Sequence, residues 1–191
     1  PRKLLNWLKD VVASATDKYG VEEPVQSGQA ITVTIKSKDL KIDLVPAGVF
    51  RHNVSGETFY NIPKGDQENG WILTAPQRDI ERLKAVAKDK ENFRNIIRLC
   101  KRARDTYNFG VSSFAIESAV VGYGERNYWY GDLYRDFRAV LKSLAEAFRG
   151  GVILDPFDDQ NNLIADVVSL DWYADRLETI VEGMDECVDW E

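Results

Sequence analysis

The chain has 191 residues, 44% hydrophobic and 29% charged, the composition of a globular protein with enough apolar material for a sizeable core. A net charge of −6 and a pI near 5.0 argue against wrapping extended nucleic acid, which calls for a basic surface. Cys100 and Cys187 are too few for a disulfide framework and belong to no CxxC or Cys/His cluster. With no apolar run near the ~20 residues of a membrane span and no signal peptide, the expectation is a cytoplasmic protein with reduced thiols and no membrane partner.

Leu4, Leu5, Trp7, Leu8, Val11, Val12 and Ala15 fall on one face at helical spacing, and Gly20 can close that helix. Segment 21–29, with Pro24, Ser27 and Gly28, reads as a loop. Ile31, Val33 and Ile35 then alternate with Thr32, Thr34 and Lys36 in a half-buried strand. After a turn at Ser37-Lys38-Asp39, Leu40, Ile42 and Leu44 alternate with Lys41, Asp43 and Val45, and Pro46 and Gly48 end this second strand. Residues 51–70 read as a loop or an irregular hairpin.

Helical patterns follow. Thr74 and Gln77 make a capping-box signature with Pro76 in the first turn. A helix over about 91–107 turns Phe93, Ile96, Ile97, Cys100 and Ala103 inward. Ser112 or Ser113 caps a third helix, which runs to about Tyr123, and Leu133 to Phe148 form a fourth, stopped by Gly150-Gly151. Asn161 or Asn162 is expected to cap a last helix carrying Leu163, Val167, Leu170, Trp172, Leu177 and Ile180. Helix, hairpin and helical bundle in that order make an α+β chain.

Three places could carry chemistry. Asp43 points away from Leu40, Ile42 and Leu44 on a strand ending at a proline, a rigid placement that suits a hard cation. On its own, such an aspartate is ordinarily a solvated strand residue. Arg94, Arg98, Lys101 and Arg102 share a helix face, either as a salt-bridged solvent face partly balanced by Glu91 and Asp105 or as a wall toward phosphates. Val111-Ser112-Ser113-Phe114 opens a helix, either as a plain cap with a core aromatic or as an anion site whose Phe114 stacks on a base. The single histidine, His52, leaves little room for a Ser/His triad or a histidine zinc site, and no phosphate-loop motif occurs.

Taken in order, several segments resemble those of bacterial cyclic-oligonucleotide synthases. These are relatives of cyclic GMP-AMP synthase and oligoadenylate synthetase among the polymerase-β-like nucleotidyltransferases. Lys41-Ile42-Asp43-Leu44-Val45-Pro46-Ala47 is similar to the strand of the third catalytic aspartate. Phe59-Tyr60-Asn61-Ile62-Pro63, with Gly70-Trp71-Ile72-Leu73-Thr74-Ala75-Pro76, resembles the family's "IP…GGW…TxP" segment. Ile97-Arg98-Leu99-Cys100-Lys101 resembles its spine helix, with Cys100 and Ala103 where bulkier residues are usual. Ser112-Ser113-Phe114-Ala115-Ile116-Glu117 resembles a helix start, and Ile153-Leu154-Asp155-Pro156 with Asn161-Asn162 resembles the "ILDP…NN" corner.

The resemblance implies a parent enzyme that joins NTPs into cyclic or linear oligonucleotide messengers, as in antiphage signalling, with Mg²⁺ or Mn²⁺. It implies Asp43 as a metal ligand that helps deprotonate the attacking hydroxyl, Lys101 and Ser113 on the donor triphosphate, and Phe114 against a base. Asp155 and Asn162 would be structural. It further implies a remnant of the nucleotidyltransferase core over residues 1–73, a β-hairpin packed on a C-terminal helical domain over 74–191. The Gly-Ser loop and Asp-x-Asp pair of the family are absent from this sequence. The expectation is therefore that a further N-terminal segment of the same protein is a partner, and that the chain alone is inactive. Two alternatives stand beside this reading: an RNA- or tRNA-tailing transferase, and a non-catalytic module binding a nucleotide or protein.

Overall fold

The computed structural model describes residues 1–19, 22–51, 57–64 and 70–188; Gly20 and His52 lie outside them. The architecture is α+β, divided into two compact units, Pro1–Pro76 and Gln77–Glu191. No described helix is long and apolar enough to cross a membrane.

In the first unit, helix α1 (Arg2–Tyr19) precedes strands β1 (Val25–Ser27), β2 (Ala30–Ile35) and β3 (Leu40–Leu44), which form an antiparallel sheet in that order. Strand β1 falls in the segment expected to be a loop. Gly28, at φ 56°, permits the tight return that pairs Ser27 with Ala30, and three residues are too few to display a period. Asp39, at φ 47°, turns β2 into β3, a left-handed conformation that Asp tolerates.

Register assigns the faces. Ile31 opposes Leu44, Thr32 opposes Asp43 and Val33 opposes Ile42, and cross-strand partners project to the same side. Leu40, Ile42 and Leu44 thus share a face with Ile31 and Val33, while Asp43 lies on the other with Thr32, Thr34 and Lys41. Helix α1 packs on β1 and β2, and Leu5 and Ile31 are fully buried. Leu40 and Ile42 nevertheless remain 46% and 39% exposed, because β3 is an edge strand, paired on one side only among the described residues.

A second antiparallel sheet replaces the expected loop or hairpin. It comprises β4 (Gly48–Arg51), β5 (Thr58–Pro63) and β6 (Trp71–Thr74), with Phe50 opposite Phe59 and Ile62 opposite Ile72. Phe50, Trp71 and Leu73 on one of its faces are exposed.

The second unit is a helical bundle: α2 (Pro76–Ala87), α3 (Phe93–Thr106), α4 (Ser113–Arg126), α5 (Leu133–Gly150) and α6 (Leu170–Val188). The expected cap Thr74 is instead the last residue of β6, and Pro76 opens α2. Phe93, Ile96, Ile97 and Cys100 of α3 are buried as expected, against Ile116 and Val120 of α4, Leu141 and Phe148 of α5, and Leu177 of α6. Burial pushes the Cys100 thiol up to about 12.

Local signals set the helix ends. Ser112 caps α4 by accepting the Ala115 N–H at 3.0 Å, and Asp132 caps α5 by accepting that of Arg135 at 2.7 Å. Gly151, at φ 66°, closes α5.

The last helix departs from expectation. It begins at Leu170, and Asn162 ends strand β8 (Asp158–Asn162), which pairs with β7 (Leu154–Asp155). Asn162 Oδ1 accepts the N–H groups of Ile153 and Ile164, and its amide donates to the Gly151 carbonyl at 2.8 Å. It ties a corner together and caps no helix.

Candidate functional site

Asp43 belongs to the first unit. Its carboxylate is exposed on β3, and Oδ1 accepts a hydrogen bond from Thr32 Oγ1 at 2.7 Å. Among the described residues no three His, Cys, Asp or Glu side chains are grouped to hold a metal. A two-metal centre needs several carboxylates, so the donor set described does not by itself fit one.

The other three candidate residues lie in the second unit, on adjacent helices. Lys101 leaves the exposed face of α3 and is half-buried, its ammonium in contact with Glu117 Oε2 of α4. Glu117 in turn lines a shallow cleft with Phe114, Asp79 and Arg82. Phe114 is half-buried rather than a core residue. Ser113 is the first residue of α4. With capping assigned to Ser112, the Ser113 hydroxyl makes no hydrogen bond among the described residues. A cation, a free hydroxyl and an aromatic edge therefore gather around the first turns of α4, where N–H groups and the helix dipole favour an anion.

The basic stripe on α3 divides. Arg94 and Arg102 are exposed, and Arg98 donates to Asn95 Oδ1 at 3.1 Å. Asp105 pairs with Arg104 instead of balancing the stripe, and the counter-ion of Lys101 comes from the neighbouring helix. Nothing in the pattern of α3 announces Glu117. The available signal was its place in the same motif as Ser113 and Phe114, on a helix able to pack beside α3.

The surroundings of this cluster are mixed in charge. Burial, then the charges of Asp155 and Glu117, raise the Asp79 carboxyl above its usual range. Arg82 donates to both Glu125 oxygens, at 2.7 and 2.6 Å, and this hydrogen bonding lowers the Glu125 carboxyl. A further carboxylate escaped the sequence reading. Asp136 is fully buried on α5; Oδ1 accepts the Tyr130 N–H at 2.8 Å, and Oδ2 has no partner among the described residues.

No protein-family model matches the sequence. A probable cyclic nucleotide synthase of Bacillus cereus (strain VD146) is 24% identical over 160 residues, covering 83% of this chain and 46% of the relative. Among solved structures, 3′-deoxy GTP-bound DncV of Escherichia coli superposes with a TM-score of 0.72 at 19% identity, covering 96% of this chain and 51% of that one. A deletion mutant of the Vibrio cholerae di-nucleotide cyclase DncV gives 0.69 at 17% identity, covering 90% and 48%.

The chain thus spans about half the length of the relatives it matches. Its fold is that of the matching half of DncV. The resemblance to cyclic-oligonucleotide synthases carried by the motifs is met by both comparisons.

Proposed function

We propose that this chain is the part of a template-independent nucleotidyltransferase that grips the donor NTP. The parent protein would join NTPs into cyclic or linear oligonucleotide second messengers, in antiphage defence within the cytoplasm. The observation that carries this reading is the gathering of Lys101, Ser113 and Phe114 at the start of α4, on a fold shared with DncV. Lys101 and Ser113 would hold the triphosphate by charge-assisted and hydroxyl hydrogen bonds, and Phe114 would flank the base. Glu117 would keep the Lys101 ammonium turned toward α4. A ribose hydroxyl then attacks the α-phosphate; the new O–P bond replaces the bond to pyrophosphate, which leaves.

The division of labour follows the two units. Residues 1–73 would be the remnant of the nucleotidyltransferase core and 74–191 a helical domain that binds the nucleotide. Asp43 would contribute one carboxylate toward Mg²⁺ or Mn²⁺. The remaining carboxylates would come from a further segment of the same protein, added at the open edge of β3, where Leu40 and Ile42 are exposed. A tailing transferase would need a basic RNA surface, which a net charge of −6 does not favour.

The test is a pair of measurements, product formation by the purified 191-residue chain and NTP binding by the complete protein. No nucleotide product is expected from any NTP with Mg²⁺ or Mn²⁺; product that Asp43→Asn abolishes would overturn the incomplete-site reading. NTP binding is expected to weaken tenfold or more in Lys101→Ala, the scale of one charge-assisted contact, and far less in Arg94→Ala. Equal losses would mean a diffuse field rather than a site.

A further inference from the structure

The second unit holds a larger cleft, of about 460 Å³, formed by α4, α5 and the β7 corner, with Arg82 of α2 at its side. That volume lies in the ordinary range for a small-molecule site. Its floor is apolar, with Val140 and Leu144 buried and Ala147 and Ile153 beside them. Four polar side chains of its lining make no hydrogen bond among the described residues: Ser118, Tyr123, Ser143 and Arg126. Ser118 is only 8% exposed as a residue.

Arg126 is placed by an absence. Its guanidinium lies over Gly122, one turn earlier on α4, where a Cβ would come within 3.1 Å of Nη2. Glycine is a poorer helix former than alanine, and here it leaves the space that the guanidinium occupies. The other cation of the cleft is already paired, because Arg82 donates through Nε and Nη2 to the two oxygens of Glu125. The one lining carboxylate, Asp155, accepts the Phe157 N–H at 2.9 Å and the Asn161 amide at 3.2 Å.

We propose that this cleft is a binding site for a small organic anion, with a carboxylate or phosphate head on Arg126 and a flat apolar body over Val140, Leu144 and Ile153. A planar guanidinium pairs with either head through two hydrogen bonds. Ser118 and Ser143 supply hydroxyls partway down for a polar substituent. The cleft adjoins the one beside Phe114 and Glu117, sharing Arg82 and Ser118 with it, whereas Arg126 and Ser143 line this cleft alone.

The experiment titrates the full chain with phenyl phosphate and with benzoate, followed by the amide NMR shifts of Ser118, Gly122 and Ser143. Phenol and inorganic phosphate serve as half-ligands. At least one aryl anion is expected to give saturable shifts at all three amides, and neither half-ligand should approach its affinity. Whichever aryl anion binds identifies the head group.

Arg126→Ala is expected to weaken binding about tenfold or more, with the fold intact because Arg126 is exposed. Gly122→Ala should also weaken binding by displacing the guanidinium, while the thermal midpoint holds or rises with helix propensity. No saturable shift would overturn the proposal. So would inorganic phosphate binding as tightly as phenyl phosphate, or Lys101→Ala removing binding as fully as Arg126→Ala.

Discussion

Both units expose large apolar residues, but they differ in the core that lies beneath. In the second, α3, α4, α5 and α6 close around one continuous core. In the first, Leu5 and Ile31 are buried, yet Val25, Leu40, Ile42, Val49, Phe50, Trp71 and Leu73 remain exposed across two three-stranded sheets. Hydrophobic stabilisation scales with apolar area removed from water, so the bundle carries its own stability and the sheets leave much of theirs unrealised. A unit built this way gains from any further strand or surface that covers it, as the reading of the open β3 edge requires.

The largest expected effect compares two phenylalanines. Phe148 is 1% exposed, between Phe109 and Tyr173, whereas Phe50 is 51% exposed on β4. Phe148→Ala should cost about 3–5 kcal/mol in denaturant unfolding, and Phe50→Ala well under half of that. Comparable losses would mean that Phe50 is covered in solution, and the contrast between the units would fail.

Next comes crowding within the bundle. A Cβ on Gly124 would sit 2.6 Å from Phe93 Cε2 and 2.9 Å from Val86 Cγ1, and neither ring nor branched chain yields easily. Gly124→Ala should destabilise by about 1–3 kcal/mol despite the better helix former. Gly122→Ala, on the same helix, should not, because only a flexible guanidinium end opposes it. A smaller effect tests local design. Ser112→Ala, which removes the acceptor of the Ala115 N–H, should cost about 1 kcal/mol of stability, read by denaturant unfolding.

What the sequence disclosed follows from how each element is buried. Helix α3 was legible because Phe93, Ile96, Ile97 and Cys100 face a core and the opposite face is charged. The β2–β3 hairpin was legible because Thr32 and Asp43 alternate with Ile31 and Ile42 across one register. Strands β4 to β6 were not, since Val49-Phe50 and Trp71-Ile72-Leu73 are apolar on consecutive positions and show no alternation. The late start of α6 was hidden by Leu163 and Val167, which join the core from a turn and mimic helical spacing.

At the candidate site, motif positions named Lys101, Ser113 and Phe114 but could not show the Lys101–Glu117 pairing. That contact depends on how two helices separated by a loop come to pack. The placement of the Arg126 guanidinium was equally invisible, because its cause is a missing side chain at Gly122.

The smallest effect concerns charge beside the Phe114 cleft and is read from its dependence on pH. Burial, with Asp155 and Glu117 nearby, raises the Asp79 carboxyl in the folded chain. A raised carboxylate pKa means the folded state binds the proton more tightly than the unfolded one. Asp79 therefore costs nothing well below its ordinary value near 3.8. It destabilises progressively as pH rises through that value and the raised one, then levels off. Asp79→Asn removes the titration, so its midpoint advantage over the parent should grow across that window and then stay constant. Screening at this half-exposed position keeps the difference below about 1 kcal/mol. Opposing it are the charges of Arg82 and Arg78, and also the dipole of α2, whose first turn holds Asp79 and favours a negative charge. If the dipole prevails, the parent will gain on Asp79→Asn as pH rises. The crowding of acidic groups around Phe114 would then be no obstacle to the stability of the bundle.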